Sequence, residues 1–133
     1  MAITLDHTEG NALTFAPDAV PDKGETVWAP IDAGAGSYYD YVKVQLSVGG
    51  ANTIDGNGAD VLVRYSADSG TTDSDQNITI FNIAAATIDG LTAIYTFTLS
   101  KFNFAEIGVL NDTTTAAVVT VSGKWEGVKV TDS

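Results

Sequence analysis

The sequence predicts an all-β domain: an antiparallel two-sheet β-sandwich of jelly-roll type with a short extended N-terminal arm. Three observations carry this expectation. β-branched and aromatic residues recur with a period of two, and clusters of Gly, Asp, Asn, Ser and Thr bound each run. Nowhere does an i, i+3, i+4, i+7 apolar stripe persist for the length of a helix.

Taking the runs in order of clarity, residues 39–48 place Val42, Val44, Leu46 and Val48 on one face, with Tyr39, Tyr41, Lys43, Gln45 and Ser47 on the other. Residues 60–66 set Val61, Val63 and Tyr65 against Leu62 and Arg64, and residues 78–83 follow the same grammar. In residues 91–100, Ala93, Tyr95, Phe97 and Leu99 oppose Thr92, Ile94, Thr96 and Thr98, a strand with a threonine-rich outer face. Residues 102–110 and 117–130 complete the clear set. In the last, Val119, Val121, Gly123 and Trp125 share a core face, and Gly123 or Gly127 marks a bulge or bend. Residues 3–5, 12–15 and 26–28 are shorter strand candidates, punctuated by Pro17, Pro21 and Pro30. The Ala-rich stretch 84–86 is too short for more than a turn. About seven to nine half-apolar strands bury their faces only when two sheets pack together. Residues 1–36 carry all three prolines and the weakest alternation, and so read as the arm.

At 133 residues the chain fits one domain, residues 1–133, able to bury roughly two thirds of its unfolded surface. Cysteine is absent, which excludes disulfides, thiolate metal sites and cysteine nucleophiles. Charged residues are only 17%, against about 25% in an average domain, so Thr, Ser, Asn and Gly must supply much of the surface. Six Lys and Arg against seventeen Asp and Glu leave a formal charge of −11. Such a chain repels phosphate backbones and anionic lipid, which argues against nucleic-acid and membrane partners. No segment approaches the roughly 20 apolar residues of a spanning helix, and no export signal is visible in the first positions.

Little in the sequence points to catalysis. His7, the single histidine, lies in a short strand with no nucleophile motif around it, and reads as an ordinary edge or surface residue. Glu106 and Glu126 fall in or beside strands. A glycosidase pair would need them to face one another about 5–10 Å apart in a cleft, whereas acids on the solvent face of a sheet are far commoner. The protein is therefore expected to be non-enzymatic and to need no cofactor.

Two loops offer oxygen ligands suited to calcium: Asp55, Asn57 and Asp60, and Asp73, Asp75 and Asn77. The second opens like a calcium loop but has Ile78 where the EF-hand turn needs glycine and Ala84 where it needs a bidentate glutamate. Solvated turns are the simpler reading for both, with Asn57-Gly58 suited to a tight turn. Residues 66–77 read as an exposed loop. Gly34-Ala35-Gly36 and Gly49-Gly50 lack the phosphate-loop pattern and a following helix. Among the aromatics, Tyr39 and Tyr41 oppose the valine face and, with Trp28, are candidates for a sugar platform or protein interface.

Several segments together resemble small virion proteins of tailed bacteriophages, particularly capsid decoration or cement proteins. These are Ala29-Pro-Ile-Asp-Ala-Gly, Tyr41-Val-Lys-Val-Gln-Leu, Val61-Leu-Val-Arg-Tyr-Ser-Ala-Asp-Ser-Gly and Val119-Thr-Val-Ser-Gly-Lys-Trp-Glu-Gly, spread over residues from 25 to 130. The resemblance implies a protein made in the host cytoplasm that coats the capsid surface and bridges major capsid subunits. It also implies a homo-oligomer, a trimer in preference to a dimer, with residues 1–36 touching the shell. A tail or fibre component and a carbohydrate-binding module are the alternatives that share this fold and composition.

Overall fold

A computed structural model describes residues 3–15, 19–20, 25–34, 37–50, 56–66, 78–113 and 119–132. In chain order these form β1 (Ile3–Ala12), β2 (Ala19–Val20), β3 (Thr26–Asp32), β4 (Tyr39–Gly50), β5 (Gly56–Ser66) and β6 (Ile78–Ile83). A single helical turn, α1 (Ala85–Ile88), follows, and then β7 (Thr92–Phe102), β8 (Phe104–Thr113) and β9 (Val119–Asp132). No described helix is long and apolar enough to cross a membrane.

The strands pair antiparallel in two sheets. Sheet A runs β1-β9-β4-β7, with β2 also on β9; sheet B runs β3-β8-β5-β6. Neighbours in each sheet are mostly distant in sequence, so the chain crosses repeatedly between layers, as in a jelly roll. The expected all-β sandwich is thus the observed fold.

Alternation decides which side of each strand faces inward. On β4, Val42, Val44, Leu46 and Val48 are all fully buried. Across the seam, β8 contributes Ala105, Ile107 and Val109, β5 contributes Ala59, Val61 and Val63, and β3 contributes Val27, Ala29 and Ile31. Each Val, Leu and Ile among them is stabilised by about 1.5–3 kcal/mol on leaving water. Among the described residues Asn111 and Thr113 are polar and fully buried: the Asn111 side-chain oxygen accepts from the Thr113 hydroxyl at 2.7 Å and from the Thr113 backbone amide at 3.1 Å.

The described strands of the segment expected as an extended arm pair within the two sheets. β1 pairs with β9 from Ile3↔Asp132 to Ala12↔Lys124, Leu13 and Phe15 enter the core, and β3 forms an edge of sheet B. Two facts hid this from the sequence. Pro30 sits at an edge, where a missing amide is tolerated, and the described apolar side chains of β1, Ile3 and Leu5, are exposed.

Glycine use also differs from expectation. Pairing between β9 and β4 continues without a register shift from Val119 to Val128, while the β1–β9 register shifts between Thr8 and Asn11, opposite Gly127 and Trp125, with the extra residue in β1. Gly127 instead makes room for an aromatic ring, since a Cβ there would lie 2.4 Å from Tyr39. Asn57-Gly58 is not a hairpin turn but part of an irregularity inside β5, where the register to β8 shifts between Gly56 and Ala59. Gly58 has φ +73°, and a Cβ there would meet the Ile83 carbonyl at 2.0 Å.

Gly58 and Gly34 therefore separate backbone strain from steric overlap. Gly34 also has positive φ, +94°, but open space where a Cβ would stand. Gly34→Ala should cost about 1–2 kcal/mol in urea unfolding, and Gly58→Ala distinctly more, because backbone atoms cannot yield.

Candidate functional site

With the interior filled, chemistry is left to the outer faces, edges and ends of the sandwich. The outer face of sheet A carries Tyr41, Lys43, Gln45 and Ser47 on β4, Thr96, Thr98 and Ser100 on β7, and Lys124 and Glu126 on β9. Register places them as neighbours: Lys43 lies between Thr98 and Glu126, and Gln45 between Thr96 and Lys124. Here lies a shallow depression of about 280 Å³, lined by Lys43, Gln45, Thr96, Lys124 and Glu126 with parts of Val44 and Trp125. Two of the chain's six Lys and Arg converge on it. In a protein of charge −11, that is a local reversal of sign, suited to an extended polar or anionic ligand.

The outer face of sheet B carries Trp28. Its half-buried indole lies across Gly108, where a Cβ would come within 2.6 Å of the ring. The Arg64 guanidinium sits 3.9 Å from the ring centroid, and its Nε donates to Glu106 Oε1 at 2.9 Å. Leu62, in the same cross-strand row as Trp28 and Gly108, is only 6% exposed. Trp28 is thus on the surface as expected, but the protein's own arginine occupies its ring face.

At one end of the sandwich, aromatic rings form a chain. Tyr39 meets Trp125 at 5.6 Å and Phe102 at 6.3 Å, both edge-on, and Phe102 continues to Tyr65 at 5.9 Å. Tyr39, expected on the solvent face beside Tyr41, is therefore buried and no interface residue of the folded chain. Strict alternation breaks at the first residue of β4 because the slot over Gly127 accepts its ring. Beside this chain, Tyr65, Ser66, Lys101, Phe102 and Asn103 line a second depression of about 400 Å³. Burial pushes the Tyr65 phenol above its ordinary pKa of 10.0. Exposed Tyr38 lies 4.1 Å beneath the Lys101 ammonium, and Asn103 donates to the carbonyls of Gly34 at 2.9 Å and Ser37 at 2.5 Å, pinning that loop.

The remaining candidates are dispersed. Glu106 and Glu126 lie on the outer faces of different sheets, so they do not face each other across a cleft. Of the calcium candidates, Asp60 Oδ1 and the Asn57 carbonyl both accept from the Asn82 side-chain amide, at 2.6 and 2.8 Å. Asp55, Asp73, Asp75, Asn77 and the loop 67–77 lie outside the described residues. Among the described residues no cluster of three His, Cys, Asp or Glu stands ready for a metal. The His7 backbone pairs with Val128 in β1. Sequence reasoning missed the Lys43–Lys124 convergence, because it depends on which strands become neighbours, and the Arg64–Trp28 stack for the same reason.

No family model and no curated protein matches the chain. Among solved structures, it is similar to the enzymatically active domain of tailspike protein 4 of bacteriophage CBA120, with a TM-score of 0.52 and 12% identity. That match covers 96% of this chain and 19% of the other, so the chain spans about a fifth of that protein's length. It is also similar to a family 35 carbohydrate-binding module from an environmental isolate (TM-score 0.41, 15% identity, 85% of this chain and 73% of that one). A family 16 carbohydrate-binding module gives 0.40, 11%, 84% and 73%. At such identities the tailspike likeness bears on the fold alone, and the two modules add no argument.

Two measurements follow from these sites. In a Trp125→Phe background, Arg64→Ala should shift Trp28 emission to the red and lower stability by about 1–2 kcal/mol, the range for a cation–π contact plus a part-exposed ion pair. Since Tyr65 ionises less readily folded than unfolded, the stability tied to its neutral phenol is complete below pH 10 and is lost as pH rises through the raised folded value. In Tyr65→Phe that alkaline decline should be shallower in denaturant titrations.

Proposed function

We propose that the protein is a non-enzymatic module of a tailed-bacteriophage particle, placed on the outer surface of the capsid, where it adds contacts between major capsid subunits. The observation that carries this reading is the apolar surface left at the sheet edges. Ile3 is 70% exposed, Leu5 48% and Val130 46%, and Leu5 and Val130 are cross-strand partners. A charge-poor domain with such a strip along edge strand β1 is built to be covered in a larger assembly, and strand addition to that edge is a direct way to cover it. The resemblance of residues 25–130 to virion proteins supports the same setting. Shell contact through the first residues survives as part of the reading, with β1 taking the place of a free arm.

A second reading is a glycan-binding component of a tail spike or fibre. It is favoured by the sheet A depression, where Lys43, Gln45, Thr96 and Lys124 offer hydrogen-bond partners along an open groove.

Mixing the protein with purified capsids that lack it, then counting bound copies by sedimentation and electron microscopy, tests the first reading. Saturable, symmetric occupancy that falls at least tenfold in affinity for Leu5→Asp is expected. Absence of capsid binding, together with glycan-array signals lost in Lys43→Ala/Lys124→Ala, would replace it with the second.

A further inference from the structure

The side of the sandwich formed by β6 and β7 differs from every other margin of the molecule. Among the described residues both are edge strands, β6 of sheet B and β7 of sheet A, and each has one row of backbone amides and carbonyls without a ladder partner there. Between them the two sheets are joined by rings: Phe81 lies 5.1 Å from Tyr95 and 5.7 Å from Phe97. All three rings are only half-buried, although they pack on the core. Flanking them, Leu91 and Ile94 are each 63% exposed, Ile78 51% and Ile80 36%.

Charge makes this margin unusual. Residues 78–88 contain no charged side chain, and residues 90–105 contain no acid and one base, Lys101. Of the described acids nearby, Asp60 on β5 is hydrogen-bonded to Asn82 and Asp89 lies in the turn between α1 and β7, while Asp68, Asp73 and Asp75 precede β6 in sequence, outside the described residues. The opposite margin is different: β1 contains Asp6 and Glu9, while β3 ends on Asp32 and follows Glu25. For a chain of charge −11, most ways of bringing two copies together set acid against acid. Along β7 and the described residues of β6, two copies could approach with little of that repulsion.

We propose that this margin is a self-association surface, and that two copies join β7 to β7 antiparallel across a two-fold axis. β7 suits such a contact. It is eleven residues long, pairs with β4 without a register shift, and contains no proline, so it presents a long regular edge. The contact satisfies the unpaired backbone groups of both β7 strands, continues sheet A into the partner, and covers Tyr95, Phe97 and Ile94. A two-fold contact is self-complementary and closed, so it yields pairs, unlike the three-fold assembly implied by the sequence resemblance. The inference stands on edge geometry and charge, independent of any role in a virion.

Sedimentation equilibrium and light scattering of the purified full chain test it, with Ile94→Asp and Ile3→Asp as variants. Both replace exposed side chains, and circular dichroism should show both folded. The unaltered chain is expected at twice its 13.8 kDa mass, Ile94→Asp at the single mass, and Ile3→Asp at twice it. Hydrogen exchange gives a second readout: amides on the outward edge of β7 should be protected in the unaltered chain and exchange at least tenfold faster in Ile94→Asp. A single mass for the unaltered chain at its highest soluble concentration, a trimer, or a dimer that Ile3→Asp breaks and Ile94→Asp leaves intact would each overturn the proposal.

Discussion

The molecule depends on the buried seam between its two sheets. β4 lies at the middle of sheet A and β8 at the middle of sheet B, and their inward branched side chains are buried against one another. Because side chains alternate along a strand, a one-residue slip of β4 would turn its four buried aliphatics outward and bring Lys43 and Gln45 into the core. Register on both flanks of β4 is thereby fixed, and so is every cross-strand neighbour on the outer faces. The convergence of Lys43 and Lys124 on one depression follows from that constraint, because register makes β4 and β9 neighbours there.

Where strict alternation yields, an aromatic ring and a glycine yield together. Tyr39 over Gly127 and Trp28 over Gly108 are the same device on opposite layers: a missing side chain on a central strand accepts a ring from its neighbour. In the first case the ring closes an end of the core. In the second it stays outside and is shielded by a charged side chain rather than by the other sheet. Both rings span the pleat, which ties adjacent strands more firmly than main-chain bonds alone.

Legibility in the sequence tracked the strength of alternation. Residues 78–83 were delimited as β6 is found, and the inward faces of β4, β5, β7 and β9 were readable because both of their faces are chemically distinct. The N-terminal region is less legible, because three prolines and faint alternation point to an arm, whereas an edge strand tolerates Pro30. Gly58 was misread as a turn because positive φ serves an irregular strand start as well as a hairpin, and local sequence does not distinguish the two. The candidate sites were the least legible part. Trp28, Arg64 and Glu106 come from three strands, and no spacing along the chain announces that they stack.

The pairing of Ile3 with Asp132 has a mechanical side. β1 and β9 are antiparallel neighbours, so the first and last strands of the described chain begin and finish at the same end of sheet A. Tension applied there would load their hydrogen bonds one after another, peeling β1 away as a zipper opens, whereas a pull along opposed ends would share the load across the whole ladder. A module strained through its ends in this way gives way gradually at a margin while the seam stays closed. Tension delivered sideways, through its broad faces, would meet the packed core directly.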